Sequence, residues 1–458
     1  MNLTKLLAGT LLLFAACTQA PLSGDDYTRF VDPKIGTGGH GHVFVGANVP
    51  FGMVQLGPTS IPQQWDWCSG YHESDSTVIG FSHTHLSGTG IGDLFDITVM
   101  PVTGEVTYAR GEESAPASGL WSYADRTREV ARPGYYSVPL TRYGILAEMT
   151  ATARVGLHRY TFPAAEDAAI VIDLENGGCW DKATDTRIEA VGDRRIEGWR
   201  HSTGWAKDQR VYFSAEFSRP FAFERVGDHY ARASFATADG EQVLLKVALS
   251  PVSVEGARAN LAAELSGWDF DATAAAAGKA WNDELGKVRI ETTDDTARKI
   301  FYTALYHAMI APVSFCDVDG AYRGADGEVH ADPGHATYTV FSLWDTYRAK
   351  MPLLTLTQPE RMTGIVGTML AIADEQGRLP VWHLWGNETD CMVGNPGIVV
   401  VADAIVKNIP GIDRERAFEA IRRTAMNPDR GNGLRMKYGY IPCDLFNEAV
   451  AYDMEYAV

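Results

Sequence analysis

Two stretches of this chain set an indole beside a carboxylate. In Phe341-Ser342-Leu343-Trp344-Asp345-Thr346-Tyr347-Arg348, Trp344 adjoins Asp345, with an arginine three residues on. In Trp382-His383-Leu384-Trp385-Gly386-Asn387-Glu388-Thr389, Asn387 and Glu388 follow two tryptophans. An aromatic face covers the apolar C–H side of a pyranose, and a neighbouring acid accepts hydrogen bonds from vicinal hydroxyls or donates a proton. A third stretch, Trp67-Cys68-Ser69-Gly70-Tyr71-His72 through Phe81 to Gly90, is too polar for a core strand and too aromatic for a linker. It has the make-up of a sugar-contacting surface, and equally that of a Gly-rich turn in a β-sandwich. Glycoside hydrolysis with inversion needs an acid and a second carboxylate about 6.5–9.5 Å apart. Residue chemistry alone nominates Asp345 and Glu388 as that pair, and a packed core with satisfied acids is the bland alternative.

Two further patterns carry weaker signals. His83 and His85, two apart, share a face if they lie on a strand, and Asp93 and Asp96 follow closely. A metal site and a pair of histidines hydrogen-bonded to turns are both open readings, the second being the commoner. Gly36-Thr37-Gly38-Gly39-His40-Gly41-His42 looks like a phosphate cradle but lacks the Gly-Lys-Ser/Thr ending and the GxGxxG spacing. A tight turn near a ligand fits it better.

These residues must be held by more than one domain. The chain has 458 residues, 45% of them hydrophobic, enough apolar surface for two or three domains. From Tyr27 to about Pro251 it reads as β, with strand candidates over Ile145–Phe162, Ala169–Leu174, Val211–Phe217 and Gln242–Val252 between Gly, Asn and Asp turns. That pattern predicts a sandwich. Leu261–Asp283 is Ala-rich and reads as a helical link. Beyond Asp294 the period becomes helical: Phe301, Ala304, Leu305 and Ala308 fall on one face, as do Met362, Ile365, Val366, Met369, Leu370 and Ala373. Gly377 and Pro380 end the latter helix, and Asp413 is placed to cap another over Arg414–Met426. The expected organisation is a targeting segment over 1–17, a β-sandwich over 24–258, a helical linker over 259–293 and a helical domain over 294–458.

A net charge of -18 makes nucleic acid and anionic membrane surfaces unfavourable partners. Lys5 is the one charge before Cys17, and Leu6–Ala16 is an apolar run too short to span a bilayer. Phe14-Ala15-Ala16-Cys17 resembles a bacterial lipobox, which makes Cys17 the expected lipidation site and the membrane contact a lipid anchor only. Plain secretion is the alternative, because Phe14 stands where Leu is usual. The expected location is the periplasm or the bacterial cell surface. After Cys17 come Cys68, Cys179, Cys316, Cys391 and Cys443, an odd number with no CxxC, which argues against a zinc ribbon or a thioredoxin-like motif.

Together, Asp32-Pro33-Lys34-Ile35-Gly36-Thr37-Gly38-Gly39-His40, Pro50-Phe51-Gly52-Met53-Val54-Gln55-Leu56-Gly57-Pro58, Ser69-Gly70-Tyr71-His72 to Gly90, Phe341 to Arg348 and Asn387-Glu388-Thr389 resemble glycoside hydrolase family 92. The resemblance runs in consistent order over nearly all the chain after the targeting segment. It implies a β-sandwich followed by an (α/α)6 toroid with the site at their junction. The activity it implies is calcium-dependent exo-α-mannosidase action with inversion, on an α-mannose-containing glycan such as an N-glycan or mannan. By this resemblance Trp67 is the aromatic contact of an outer subsite, Trp344 and Asp345 surround the terminal mannose, and Asn387 and Glu388 approach it. At Asn395-Pro396-Gly397 the chain departs from the family's usual Tyr-His-Ala. The family's general acid lies in a Glu-Gly-Asn-Ala-Trp-Gln-Tyr-like motif, its base near Asp-Asp-x-Gly, and much of its calcium shell around Glu-Pro-Ser-His-His; none occurs in these 458 residues. The resemblance therefore implies an incomplete toroid, an inactive C-terminally truncated chain and no catalytic residue within it. Glu388 becomes a substrate contact rather than the acid. A non-catalytic glycan-binding surface lipoprotein is the rival reading. A glycoside phosphorylase on a similar scaffold is a second, which would need a basic phosphate site that the sequence does not display.

Overall fold

The computed structural model describes residues 26–456, so the targeting segment and Cys17 lie outside the described residues. Two antiparallel sheets form the N-terminal part. One has six strands, in spatial order Gly57–Thr59, Gly80–Ser82, Thr98–Val102, Ala165–Asp173, Tyr230–Thr237 and Ala222–Val226. The other has eight, in the order Lys182–Val191, Arg195–Thr203, Gln209–Phe217, Glu241–Ser250, Val155–Phe162, Ile145–Ala151, Tyr135–Leu140 and Val130–Arg132. Each strand candidate read from the sequence lies in this sandwich. The run Ala168-Ala169-Ile170-Val171-Ile172 is wholly buried, as its unbroken apolar character requires of a strand covered on both faces. One continuous core joins it to Phe213, Ala215 and Phe217 and to Leu245, Val247 and Leu249 of the facing sheet.

The sandwich ends at Ser250. Helix α1 (Val254–Glu264) follows at once, its Ser253 side chain capping Gly256 N, and α2 (Phe270–Leu285) completes the link. The sheet-to-helix change thus precedes the expected boundary at 258. The helical part begins with α3 (Asp295–Ala308), capped by Asp294. Here the buried face is Tyr302, Thr303, Leu305 and Tyr306, while Ala304 is exposed, so the face read from the sequence is rotated. The cause is polar satisfaction: Tyr302 and Tyr306 bury their rings because their hydroxyls reach Val288 O and Asn48 Oδ1, each at 3.3 Å.

Helices α4 (Leu343–Thr346), α5 (Lys350–Thr357) and α6 (Pro359–Gln376) come next. In α6 the expected residues Met362, Ile365, Val366, Met369, Leu370 and Ala373 are buried, and Gly377 closes the helix in the left-handed region at φ 88°. Then come α7 (Pro396–Val406), α8 (Arg414–Met426, capped by Asp413), α9 (Asn432–Tyr438) and α10 (Ala449–Tyr456). Val406, Phe418, Val450 and Met454 of this part are exposed. Among the described residues no helix is long and apolar enough to cross a membrane.

Candidate functional site

A three-stranded antiparallel sheet joins the two indole–carboxylate stretches. Phe341–Ser342 pairs with Trp382–Leu384, which pairs with Asn387–Glu388 through a tight turn at Trp385 (φ 47°) and Gly386 (φ 80°). Val340, a β-branched residue, is held at φ 64° just before the first strand, and Asp390 and Met392 also have positive φ. Such strained backbone is retained where the surroundings over-determine it, commonly at functional sites.

The four side chains gathered here differ in what remains open. Asp345 is exposed at the start of α4, and its Oδ2 accepts from Ser342 Oγ. Trp344 is half-buried, with Arg348 stacked 5.0 Å from its ring, and its Nε1 is buried without an acceptor. Glu388 is committed to its own hairpin: Oε2 accepts from Val381 N at 2.8 Å, and Oε1 accepts from Trp382 N and Asp390 N at 2.9 Å each. Asn387 ties the two domains together. Its Oδ1 accepts from Asp208 N and its Nδ2 donates to Asp208 O, both at 3.0 Å. Arg323 donates to the same Asp208 through Nη1 to the main-chain oxygen and Nη2 to Oδ2, both at 2.7 Å. Trp205, from the same sandwich loop, meets Trp382 edge-on at 4.7 Å. His383, in the central strand of this sheet, is buried, which pushes its imidazole down to about 3 and keeps it neutral.

Trp67 lies on the sandwich and is not part of this group. It is half-buried in the turn Trp65–Trp67, stacked on His72 at 4.4 Å, and donates from Nε1 to Asp75 Oδ2 at 2.7 Å. The neighbouring Trp65, which the sequence reading did not single out, is the more open indole at 50% exposure. It donates to Gly90 O and packs edge-on to His42 at 4.2 Å, while Asp66 Oδ1 bonds His40 Nδ1 at 2.6 Å and His42 Nε2 at 3.3 Å. The Gly-rich segment beneath is a tight turn, not a cradle: a Cβ on Gly41 would stand 1.8 Å from Gly36 O.

The open metal reading for His83, His85, Asp93 and Asp96 is corrected by their partners. His83 Nδ1 donates to Ile97 O at 2.6 Å, and its Nε2 lies 3.0 Å from His158 Nε2. His85 Nδ1 donates to Gln55 O at 2.7 Å. Burial pushes the two rings down to about 4 and about 3. Asp96 accepts from Arg200, Thr84 and Gln209, and Asp93 Oδ2 from Ala206 N. These are core groups that staple crossing strands. Among the described residues no group of three or more His, Cys, Asp or Glu side chains is placed to hold a metal ion, although calcium requires six to eight oxygens. The resemblance places much of the calcium shell in a motif that this sequence does not contain, and no such group of described residues stands in for it. The five described cysteines are free thiols.

The sequence matches the glycosyl hydrolase family 92 N-terminal domain over residues 30–250 and the glycosyl hydrolase family 92 catalytic domain over 256–458. The chain belongs to glycosyl hydrolase family 92. Its fold is similar to that of a family 92 α-mannosidase from Bacteroides thetaiotaomicron, in complex with mannoimidazole, at TM-score 0.91 and 39% identity, covering 94% of this chain and 60% of that one. A family 92 inverting mannosidase from Bacteroides thetaiotaomicron VPI-5482 is similar at TM-score 0.82 and 28% identity, with 94% and 61% covered. A curated relative, an uncharacterized secreted glycosidase of Arthroderma benhamiae, is 27% identical, with 91% of this chain and 55% of that protein covered. The family 92 chain thus has the family's sandwich followed by a helical domain of the α/α-toroid kind, and spans about 60% of the length of these solved relatives. The two family 92 domains meet at the hairpin where Asn387 grips Asp208.

Proposed function

We propose that this family 92 chain binds α-linked mannosides at the domain junction, as part of an exo-acting, inverting glycoside hydrolase. The observation that carries the reading is the exposed carboxylate of Asp345 beside the half-buried indole of Trp344. An indole face beside a carboxylate open to solvent complements a pyranose, whose C–H side covers the ring and whose hydroxyls donate to the acid. Trp67 serves the adjoining sugar with its indole face.

Inverting hydrolysis needs one carboxylic acid to protonate the leaving oxygen and an opposed carboxylate to take a proton from water. Glu388 has both oxygens engaged by three main-chain N–H groups, so its role is to fix the hairpin under the sugar. Asp345 is assigned to accepting sugar hydroxyls. Neither is assigned proton transfer, and the family's acid and base motifs do not occur in the sequence. We infer that the chain produced alone binds mannosides without releasing mannose, and that it is exported, with Cys17 as its lipid anchor. Calcium is proposed as the family's cofactor; no step here is routed through it.

Calorimetric titration with methyl α-D-mannopyranoside and with α-1,2-, α-1,3- and α-1,6-mannobiose tests the binding, and mannose release with and without EDTA tests the chemistry. Binding without release is expected. Chelator-sensitive release would overturn the assignment of inactivity, and the absence of any binding would overturn the mannoside reading. A glycan-binding surface protein without catalysis is the second reading, favoured by the same engagement of Glu388; mannose release would exclude it.

A further inference from the structure

Glu129 stands outside every motif discussed so far. It precedes the strand Val130–Arg132, and its side chain is wholly buried. Four groups converge on it. Lys34 Nζ pairs with Oε2, and Tyr71 OH donates to the same oxygen at 3.1 Å. Arg126 Nη1 donates to Oε1 at 2.5 Å and Tyr136 OH at 2.6 Å. Burial pushes this carboxyl up, but Arg126, Lys34 and Tyr136 outweigh it and leave the group below its ordinary value. A buried carboxylate with two cations and two hydroxyls is a satisfied anion, costly to break from one side.

Its partners belong to different loops. Lys34 opens the Gly-rich turn whose Gly39 O contacts His72 Nε2 at 3.3 Å. Tyr71 sits in the loop from Trp67 to Asp75, with its ring 4.2 Å under the Arg126 guanidinium. Arg126 also donates to Asp75 O at 2.6 Å. Asp75 in turn accepts from Trp67 Nε1 at 2.7 Å, Gln63 Nε2 at 3.2 Å and Thr77 N at 2.7 Å. An unbroken chain of contacts therefore runs from Glu129 through Arg126 and Asp75 to the Trp67 indole. A second runs through Lys34 to the turn that backs His72, the ring stacked on Trp67.

We propose that Glu129 is a positioning residue that fixes the Trp67–His72 pair and so sets affinity for the second sugar of an α-mannoside, not the terminal one. The proposal rests on the mannoside reading above. It predicts a split that general loss of structure does not produce. In Glu129→Gln the anionic hub is lost at nearly constant shape, and Lys34 and Arg126 lose their partner. The preference of the wild-type chain for mannobiose over methyl α-D-mannopyranoside should fall about fivefold, the order of one aromatic contact, while the monosaccharide affinity stays unchanged. Trp67→Ala should give the same split.

Hydrogen exchange reads the positioning itself, without ligand. Glu129→Gln should exchange faster over residues 34–43 and 67–75, with the remaining sandwich strands unchanged. Lys34→Met, which severs only the second route, should quicken 34–43 and serves if the glutamine variant does not fold. Unchanged exchange in both segments, or equal loss of affinity for monosaccharide and disaccharide, overturns the proposal. If the wild-type chain binds neither sugar, the mannoside reading and the effect on the second sugar fall together, and the exchange data still decide whether Glu129 anchors the two loops.

Discussion

Asp317 offers the sharpest test of how the two domains are joined. It is 3% exposed, and its carboxylate is met by neutral donors: Ser250 Oγ at 2.7 Å and Asn260 Nδ2 at 2.8 Å. A Cβ on Gly256 would stand 2.0 Å from Oδ2, so the packing leaves no room for solvent on that side. Burial pushes the carboxyl up from 3.8 to about 6, against the lowering effect of the two hydrogen bonds and of Arg154. Arg154 spends its guanidinium on Glu264 and the main-chain oxygens of Cys316 and Asp317. Raising a carboxyl from 3.8 to about 6 corresponds to about 3 kcal/mol of preference for its protonated form. The folded state holds this proton more tightly than the unfolded chain, so the contribution is present below pH about 4. It is lost as pH rises, and the loss is complete once pH has passed about 6. Asp317→Asn keeps the size and removes the titration. Urea unfolding followed by near-UV circular dichroism at pH 4, 5, 6 and 7 should show the wild type losing about 2 kcal/mol relative to the variant between pH 4 and 7, the rest of the loss falling below pH 4. Other buried acids such as Asp93 and Asp173 titrate in both proteins and cancel in the difference. Parallel stability curves over this range would refute the claim that a buried carboxylate hydrogen-bonded only by neutral donors sits at the junction.

Three further outcomes follow from single features. Trp344→Phe removes a buried N–H that has no acceptor, so thermal stability should be unchanged or slightly higher, while Trp344→Ala, which removes the ring beside Asp345, should lower affinity for methyl α-D-mannopyranoside by about 1 kcal/mol in calorimetry. Asp413→Ala removes the cap that accepts from Arg416 N at 3.1 Å and should cost about 1 kcal/mol in denaturant unfolding of the helical part. With Val406 77%, Phe418 61%, Val450 69% and Met454 67% exposed, the chain produced alone should self-associate with rising concentration in sedimentation velocity, and Val406→Lys with Phe418→Lys should suppress this.

Periodicity carried the elements well where burial alone decides. The α6 face and the central strand Ala168–Ile172 were both legible, because apolar side chains need nothing but cover. Helix α3 was misread because tyrosine counts as neither inside nor outside until the partner of its hydroxyl is known, and Asn48 lies 258 residues from Tyr306. The candidate site was legible as residue types and not as assignments. Nothing near Asn387 in the chain announces that Asp208 will use its amide, and nothing near Glu388 reveals that three local N–H groups will take its oxygens. Trp65 and Trp67 are two residues apart in one turn. Which of them is the more open depends on Asp75 and Gly90, which lie on either side of the strand Gly80–Ser82.

The grip of Asn387 and Arg323 on Asp208 bears on how such proteins can be recombined. The loop around Asp208 and the hairpin around Asn387 interlock through main-chain atoms as well as side chains, and Trp205 against Trp382 fixes their spacing. A chimera cut at the natural seam near residue 252 would mate a plug from one parent with a socket from another. Grafts that carry residues 204–210 along with the helical half keep both members of the joint from one lineage, and those are the exchanges that should transplant sugar preference intact.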